Sequence, residues 1–499
     1  MILLVNPRVT KPKNRRFPLS VLNLGAALPE GAGWELLDGN VPGVDLSAEI
    51  ASRVEAHAGG PDPVTLVAMT VMPGPQLLAA VPLARRLKER FPRLPVVWGG
   101  YFPTLYPLPV LRAPYVDFLV RGQGERTLVE LLDVVAVTRD PATVAGLGFR
   151  DGGEPRLNPE RTWVGPDDFP PPPYGKIDVG SYLLPTFLGR RNGVYQTSIS
   201  CAYTCNFCGV IAAYGSRQRF ESPSRTATHL AFLVERHGMD SLHFYDNSFF
   251  LKEAHAEELC ERITPLGLRW WCEARIDVML RFSDATWRKV RRSGLTMAFF
   301  GAESGSDERL RRMSKNLTVE QTLAHAARMR SFGIVPEYSF VIGDPEDPED
   351  DVATTLAFIR KLKGINPDIE VITYFYTPTP QRRGTYGGVD PLSETPATLE
   401  EWTEPEWVGW MTHEDPLVPW MPPALKAKVT DFELVLESRF PSLKDLKTAR
   451  WGRALGRLLA RRRWERGRYD DPRLLRTVRS LARRGAADRQ EYGHLRPPA

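Results

Sequence analysis

Residues 200–209 read SCAYTCNFCG, and this loop holds Cys201, Cys205 and Cys208, three of the five cysteines in the chain. The apolar residues 194–198 just before it predict a β-strand, so the cysteines follow the carboxyl end of that strand. Cysteine thiolates are the usual ligands of iron–sulfur clusters. Three thiolates can hold three irons of a cubic 4Fe–4S cluster and leave the fourth iron open. The C-x-x-x-C-x-x-C spacing therefore predicts a 4Fe–4S cluster with one iron free to bind another molecule.

Two other readings of the cysteine loop are a structural zinc site and three unrelated cysteines. Structural zinc takes four protein ligands. The loop and the residues just after it contain no fourth cysteine and no histidine. Unrelated cysteines would not be expected to gather at the end of one strand. The pattern therefore favours the iron–sulfur cluster over both alternatives.

Six apolar segments alternate with helical patterns over residues 191–390. The predicted strands are residues 194–198, 241–245, 269–273, 296–301, 337–342 and 370–374. Six βα units predict a complete or partial (β/α)6 barrel, and the chemistry of such barrels takes place at the carboxyl ends of the strands.

Residues 1–140 show the same alternation, with strands predicted at residues 2–5, 34–37, 64–69, 95–98 and 116–120. Apolar strands separated by helices predict a Rossmann-like, doubly wound parallel sheet. Residues 141–190 contain Gly152-Gly153 and four consecutive prolines, Pro170–Pro173, which predict an extended linker. Residues 391–499 predict a mainly α-helical region, so the expected fold class is α/β with a helical C-terminal part.

Composition and charge exclude several classes of protein. Five sparse cysteines argue against a disulfide framework and favour the reducing cytoplasm. We expect no transmembrane helix, because no run of about 18 apolar residues occurs, and the N-terminus resembles a first strand rather than a signal peptide. Residues 441–499 carry 17 Lys and Arg against 6 Asp and Glu. That basic end suits an anionic membrane surface or an acidic partner, but a solvated helix face is the simpler interpretation, and no nucleic acid partner is expected.

Four glycine-rich loops follow the predicted strands of the N-terminal domain. Open parallel sheets bind ligands beyond the carboxyl ends of their strands, and glycine lets the backbone approach a bulky ligand. The candidate ligand-binding residues are Asp38, Asn40, Thr70, Met72, Gly99, Gly100, Tyr101, Gly122, Gly124 and Glu125. A nucleotide-like ligand fits this pattern, and ordinary turns are the alternative. No G-x-G-x-x-G follows the first strand, so a dinucleotide is disfavoured.

The cysteine loop, with an aromatic residue before its third cysteine, resembles the radical S-adenosylmethionine superfamily. The resemblance extends over about residues 190–380. It implies that S-adenosylmethionine chelates the open iron and is cleaved by one electron to a 5′-deoxyadenosyl radical. The cofactor-binding residues that it implies are Phe207, Tyr245, Asp246, Glu273, Arg275, Gly301, Glu303 and Ser304. For Glu273 and Arg275, an ion pair at the barrel mouth is an equally good explanation.

The N-terminal domain is similar to the cobalamin-binding domain that often precedes a radical S-adenosylmethionine domain. The cobalamin fingerprint is D-x-H-x-x-G, whose histidine coordinates cobalt from below. Here Asn40 stands in the histidine position, between Asp38 and Gly43. An amide is a poor cobalt ligand. We therefore expect cobalamin without a protein histidine on its lower face, which is empty, water-bound or covered by a side chain such as Met72.

The combined resemblance implies methylation of an unactivated carbon in a small-molecule, lipid or peptide substrate. The 5′-deoxyadenosyl radical would activate the substrate, methylcobalamin would supply the methyl group, and flavodoxin or ferredoxin would supply electrons. A non-methylating cyclase, oxidase or rearrangement enzyme of the same architecture is the alternative. Methylthiolation of transfer RNA is disfavoured because no cysteine precedes Cys201. A non-enzymatic cobalamin sensor is disfavoured because the cysteine motif is intact.

Overall fold

A computed structural model of the protein describes residues 1–381, 384–390, 395–413, 415–444 and 448–482. Most of its strands belong to two large sheets, one in each half of the chain. The strands are β1 (Ile2–Asn6), β2 (Trp34–Asp38), β3 (Leu66–Thr70), β4 (Val96–Gly99), β5 (Phe118–Val120), β6 (Leu147–Asp151), β7 (Glu154–Leu157), β8 (Asn192–Tyr195), β9 (Ser198–Ile199), β10 (Arg219–Phe220), β11 (Ser241–Phe244), β12 (Arg269–Ala274), β13 (Leu295–Glu303), β14 (Val335–Ile342) and β15 (Glu370–Phe375).

Helices connect successive parallel strands and form most of the C-terminal region. Those of the N-terminal half are α1 (Leu19–Ala27), α2 (Leu46–Ala56), α3 (Pro75–Arg90), α4 (Tyr101–Leu105), α5 (Pro107–Arg112), α6 (Gly124–Val135), α7 (Val179–Tyr182), α8 (Gly209–Tyr214) and α9 (Pro223–His237). Those that follow are α10 (Glu253–Ile263), α11 (Ile276–Met279), α12 (Asp284–Arg292), α13 (Asp307–Arg312), α14 (Val319–Ser331), α15 (Pro348–Ile365), α16 (Leu399–Trp402), α17 (Pro405–Thr412), α18 (Pro423–Arg439), α19 (Arg450–Glu465) and α20 (Arg473–Ala482).

The N-terminal sheet has the strand order β2-β1-β3-β4-β5-β6-β7. Its first five strands are parallel, as the alternation of apolar strands and helices predicted. Strand β2 lies on one side of β1, and the later strands β3, β4 and β5 lie on the other side, so strand order reverses between β1 and β3. In sheets with this order, ligands bind beyond the carboxyl ends of the strands at that point.

The predicted linker at residues 141–190 is wrong in its first part. β6 and β7 form an antiparallel hairpin that extends the N-terminal sheet beyond β5. Gly152 and Gly153 make the turn between them with φ of 60° and 94°. A Gly-Gly pair between two strands is a hairpin signal because both positions of such a turn need positive φ. Beyond residue 157, Pro170–Pro173 lie outside helices and strands, as predicted.

The second sheet contains the six strands predicted for the barrel, in the order β8-β11-β12-β13-β14-β15. All neighbours in it are parallel. Its two outer strands, β8 and β15, are not paired with each other, so the barrel is partial. The strand predicted at residues 194–198 stops at Tyr195, and Ser198 pairs instead with Phe220 in the small sheet of β9 and β10.

The C-terminal helices pack against the N-terminal domain through buried tryptophans. The Trp402 ring lies 4.6 Å from the Tyr106 ring and 5.3 Å from the Phe102 ring, between centroids. Trp402 is 0% exposed and Trp410 is 6% exposed. These two tryptophans therefore pack the C-terminal helices against the N-terminal domain.

None of the helices in the described ranges combines the length and the apolar character that a membrane span requires.

Candidate active site

A cavity of about 920 Å³ lies where the carboxyl edge of the N-terminal sheet faces the inside of the barrel. Nine of the ten loop residues proposed from the sequence line it: Asn40, Thr70, Met72, Gly99, Gly100, Tyr101, Gly122, Gly124 and Glu125. Barrel residues complete its wall, among them Ser200, next to the first cysteine, and Tyr245 and Glu273. The cavity is therefore shared between the two halves of the chain.

Asp38, the tenth of these residues, is buried beneath the cavity and accepts hydrogen bonds from three side chains. The amide groups of Asn6 and Asn40 donate to Oδ1 at 3.0 and 2.7 Å, and the Tyr182 hydroxyl donates to Oδ2 at 2.8 Å. Asp38 is 5% exposed. A buried carboxylate needs such partners, because an unpaired charge in a protein interior is costly. Asp38 thus fixes the loop after β2 and is not among the residues that line the cavity.

Both polar atoms of the Asn40 side chain form hydrogen bonds in the same network. Its Oδ1 accepts hydrogen bonds from the backbone N–H groups of Val9 and Thr10 at 2.9 and 3.1 Å, while its Nδ2 donates to Asp38. Asn40 is 2% exposed. The side chain therefore joins the loops after β1 and β2, which agrees with the expectation that it is not a cobalt ligand.

The network continues to the loop after β3 through two residues that the sequence reasoning missed. Gln76 donates from Nε2 to Asn6 Oδ1 at 2.8 Å and accepts from the Met72 N–H at 2.8 Å. Asn6 ends an otherwise apolar strand, ILLVN, and a polar residue in that place was the available signal. The three loops at the point where strand order reverses are therefore held together by buried amides. Met72 itself is 41% exposed and lines the cavity.

The loop after β4 brings the backbone close to its neighbours. Gly100 has φ of 101°, and a Cβ added there would lie 3.1 Å from Thr70 Oγ1 and from the backbone of Val71. Gly100 also precedes α4, whose first residue, Tyr101, reaches the barrel. A Cβ on Gly209 would lie 2.1 Å from the Tyr101 hydroxyl oxygen. Tyr101 thus contacts the helix that begins right after Cys208, and burial raises the pKa of its hydroxyl.

The three cysteines of the loop are wholly or partly buried beside the cavity. Cys205 is buried, and Cys201 and Cys208 are half-buried. Burial raises the pKa of Cys208 to about 12 and also raises the pKa of Cys201. Cys201 and Cys208 must therefore lose their protons when they bind a metal, because the thiolate is the ligand. Cys260 and Cys272 are fully buried core thiols.

Two cations adjoin the cysteine loop. Arg275 Nη1 lies 3.6 Å from Cys205 Sγ, and the guanidinium carbon lies 3.6 Å from the centre of the Tyr203 ring. Its Nε donates to Asp277 at 2.9 Å, and its Nη2 donates to the Lys315 carbonyl at 2.7 Å. Arg275 is thus held in place by Asp277 and the Lys315 carbonyl, and its guanidinium group lies next to the Cys205 thiol.

Lys315 supplies the second cation and pairs with Glu303. Its Nζ lies 2.5 Å from Glu303 Oε1, and both residues are buried. Glu303 has φ of 62°, in the region that favours glycine. A Cβ on Gly301 would lie 1.9 Å from Glu303 Oε1 and 2.4 Å from Lys315 Nζ, so a side chain there would displace this buried ion pair. The Ser304 hydroxyl accepts from the Ser306 N–H at 3.2 Å.

Asp246 has a different place from the one implied by the family resemblance. Its carboxylate accepts hydrogen bonds from the Thr197 N–H at 3.1 Å, the Thr197 hydroxyl at 2.8 Å and the Ser198 hydroxyl at 2.6 Å. Burial raises its pKa to about 6. Asp246 is 0% exposed, so it anchors the segment that leads into the cysteine loop and does not face the cavity. These hydrogen bonds also explain why β8 ends at Tyr195.

Glu273 faces the cavity from β12, next to Tyr245 of the neighbouring strand end. Burial, with a smaller contribution from the carboxylate of Glu337, raises the pKa of Glu273 to about 7. Glu337 pairs with Lys444 and accepts from Trp271 Nε1 at 3.2 Å. Sequence reasoning missed Glu337 and Lys444, because the residues are 107 positions apart and no motif links them.

Phe207 lies at the third cysteine, with its ring centre 5.9 Å from Lys315 Nζ. Its carbonyl accepts from the Thr379 hydroxyl at 3.5 Å. The cavity wall therefore brings together the nine loop residues, Tyr245 and Glu273, and it reaches Ser200 beside Cys201. The three cysteines and the predicted cofactor residues Phe207, Arg275, Gly301, Glu303 and Ser304 are not part of that wall, and neither are Asp38 and Asp246.

The residues present fit both groups implied by the sequence. Three thiols in one loop beside two cations suit an iron–sulfur cluster, because the cations offset the negative charge of the thiolates. In the described ranges, no three His, Cys, Asp or Glu side chains converge as they would around a single metal ion. A cavity of about 920 Å³ with glycine loops at a reversal of strand order suits a large cofactor.

Comparison with known families and curated proteins agrees with this architecture. Residues 6–132 match the B12 binding domain family, and residues 195–359 match the Radical SAM superfamily. An uncharacterised methyltransferase of Pyrococcus horikoshii is 28% identical over 349 residues, which cover 69% of this chain and 73% of that protein. The anaerobic magnesium-protoporphyrin IX monomethyl ester cyclase of Synechocystis sp. is 26% identical, over 74% of this chain and 72% of the cyclase.

Solved structures share the fold. The radical S-adenosylmethionine methyltransferase TsrM from Kitasatospora setae, with cobalamin and a [4Fe-4S] cluster bound, has a TM-score of 0.64 at 19% identity, over 98% of this chain and 99% of TsrM. The cobalamin-dependent S-adenosylmethionine radical enzyme OxsB has a TM-score of 0.61 at 20% identity, over 72% of this chain, which spans 51% of OxsB. This protein therefore belongs to the radical S-adenosylmethionine enzymes that carry an N-terminal cobalamin-binding domain.

Proposed function

We propose that this protein is a cobalamin-dependent radical S-adenosylmethionine enzyme that methylates an unactivated carbon of a small molecule. One observation carries the proposal: a single cavity joins the loops of the B12-binding domain to the barrel interior beside the three cysteines. A substrate bound in one shared cavity can react with both cofactors without moving to a second site. The protein positions and shields them, while the cofactors supply the reactive chemistry.

Different residues would hold the two cofactors. Cys201, Cys205 and Cys208 would bind the cluster, and the glycine loops after β4 and β5 would approach cobalamin. When bound, the cluster supplies the electron that cleaves S-adenosylmethionine, and cobalamin carries the methyl group. Flavodoxin or ferredoxin is the proposed source of that electron.

The chain's own side chains orient and protect the reaction. Arg275 and Lys315 place positive charge beside the thiols, and the amide network below the cavity fixes the loops after β1, β2 and β3. Trp271, Phe299 and Tyr374 line the barrel side of the cavity and limit access of water to it. Glu273, with its pKa raised to about 7, can hold or release a proton near neutral pH at its carboxylate oxygens.

A non-methylating radical reaction is the second candidate. The similarity to the magnesium-protoporphyrin cyclase favours it, since that match covers 74% of this chain. The two candidates differ in the mass of the product, because methylation adds one methylene unit and cyclisation or oxidation does not.

The two candidates are separated with isotope-labelled S-adenosylmethionine. The protein is reconstituted anaerobically with iron, sulfide and hydroxocobalamin. A metabolite extract is then supplied with dithionite as the electron donor and with S-adenosylmethionine carrying a 13C-labelled methyl group. We expect a product that gains the labelled carbon, and no such product with the Cys208→Ala variant. A substrate that is converted to a product without the labelled carbon would favour the non-methylating reaction and contradict methylation.

A further inference from the structure

Helix α19 has the opposite arrangement from an ordinary surface helix. Its fully buried residues are small, Gly452, Gly456 and Ala460, and Leu459 and Trp464 are partly buried against the adjoining helices. Its outward side carries large apolar residues at helical spacing, Trp451, Leu455 and Leu458, which are 52%, 39% and 67% exposed. Surface helices usually turn their large apolar residues toward the core. An outward stripe of this kind calls for an apolar or amphipathic partner.

Close packing explains why the large residues of α19 cannot turn inward. A Cβ on Gly452 would lie 2.2 Å from the Cβ of Ala482 in α20. The two helices therefore approach each other too closely for a leucine or tryptophan between them. The exposed stripe is a consequence of the fold, and a rotation of α19 would not remove it.

Helix α20 also exposes leucines, although its buried side includes a leucine. Leu475 and Ala482 are buried at 2% and 6% exposure. Leu474 and Leu481, seven positions apart and thus on one side of the helix, are 69% and 43% exposed. Two adjoining helices therefore each present leucines to the outside.

Arginines surround these apolar stripes. Residues 448–482 contain 11 arginines and no lysine, against three acidic residues. Arg450, Arg457, Arg461, Arg462 and Arg473 are exposed. Several of these arginines form ion pairs: Arg461 with Glu465, Arg473 with Asp471, Arg476 with Asp431 and Asp471, and Arg479 with Glu437. With 11 arginines against three acidic residues, the stretch still carries a strongly positive net charge. The surface formed by α19 and α20 is thus apolar and strongly positive at once.

We propose that the surface formed by α19 and α20 docks on an anionic phospholipid bilayer. Leucine and tryptophan side chains enter the interfacial region of a bilayer, and neighbouring arginines bind the lipid phosphates. A second copy of the chain would bring two positive surfaces together. A nucleic acid would neutralise the arginines and leave the leucines in water. The bilayer satisfies both features of the surface, and the inference does not depend on the substrate or reaction of the enzyme.

Vesicle binding by the reconstituted full-length holoenzyme tests this inference. Sedimentation is measured with vesicles of phosphatidylcholine mixed with phosphatidylglycerol and with vesicles of phosphatidylcholine alone. We expect binding to the anionic vesicles to be about tenfold tighter or more, and to weaken as salt is added. The double variant Leu455→Gln/Leu458→Gln should lose about tenfold in partitioning, because two exposed apolar side chains no longer enter the interface.

The matched control is Leu417→Gln, since Leu417 is 65% exposed and Leu458 is 67% exposed. The control should bind vesicles like the unchanged protein. Retained cobalamin and an unchanged circular dichroism spectrum would show that both variants fold. Equal loss in the control, or no binding to anionic vesicles, would overturn the proposal. So would a dimer in solution that the double variant alone dissociates, because the surface would then be an interface between two copies.

Discussion

The variant Asn40→Ala tests whether the Asn40 side chain holds the loops after β1 and β2 together beneath the cavity. The change leaves the Val9 and Thr10 N–H groups without their acceptor and takes one donor from Asp38. A buried polar group that loses its partner costs about 1–3 kcal/mol. The two N–H groups are only partly buried, so we expect the local stability of the loops to fall by about 2–4 kcal/mol.

Hydrogen exchange of the Val9 and Thr10 amide protons measures this loss directly. A decrease of about 2 kcal/mol in the free energy of local opening corresponds to about 30-fold faster exchange, and about 4 kcal/mol corresponds to several hundredfold. The matched control is Asn23→Ala, which removes another asparagine that lines the cavity and should leave these two protons unchanged.

Two results would contradict the view that Asn40 holds these loops together. The first is unchanged exchange at Val9 and Thr10 in the Asn40→Ala variant. The second is a nitrogen superhyperfine splitting in the electron paramagnetic resonance spectrum of the cob(II)alamin-loaded protein that disappears in the variant. The second result would mean that Asn40 binds cobalt and that the network seen here rearranges.

Three further predictions concern the barrel side of the cavity. Gly301→Ala should lower the free energy of unfolding by about 1–3 kcal/mol in a denaturant titration, because its Cβ would lie 1.9 Å from a buried carboxylate oxygen; Gly364→Ala, with open space around it, should not. In the cofactor-free protein, the stability that Glu273 contributes should be lost between about pH 4.5 and 7, where the unfolded chain has lost the Glu273 proton and the folded protein keeps it, since burial raises the pKa from 4.5 to about 7; thermal melts of Glu273→Gln and of the unchanged protein should therefore differ in pH dependence over this range, and identical pH dependence would contradict the assignment. Arg275→Gln should make the midpoint potential of the reconstituted cluster more negative in a redox titration, because a cation 3.6 Å from a ligand sulfur favours the reduced cluster; Arg262→Gln, at a side chain of α10 that is 45% exposed and pairs with Glu258, should not change it.

The two sheets were predictable from the sequence because their signals are local. Each parallel strand is a short apolar run between helical patterns, and all eleven predicted strands are present within a few residues of the expected bounds. The hairpin of β6 and β7 was missed because polar and charged residues of β7 face solvent, which leaves Gly152-Gly153 as the main sign of a turn between strands. A glycine pair in a proline-rich neighbourhood also fits a linker, and only pairing with β5 distinguishes the two.

The candidate site was predictable where one short motif carries the chemistry. Cys201, Cys205 and Cys208 and the glycine loops lie together as expected, because all of them follow carboxyl ends of parallel strands. The roles of Asp38 and Asp246 could not be read from the sequence, since their partners Tyr182 and Thr197 are 144 and 49 positions away. Side chains that support a site from behind are recognised only when long-range packing is known.

The central claim is that one chain brings an open-iron cluster and cobalamin to the same cavity for methyl transfer. The most direct test is to reconstitute the protein anaerobically with iron, sulfide and hydroxocobalamin, add S-adenosylmethionine and dithionite, and measure the small-molecule products by mass spectrometry. We expect both 5′-deoxyadenosine and S-adenosylhomocysteine, with cobalamin retained on the protein. Neither product from protein confirmed to carry both cofactors would contradict it.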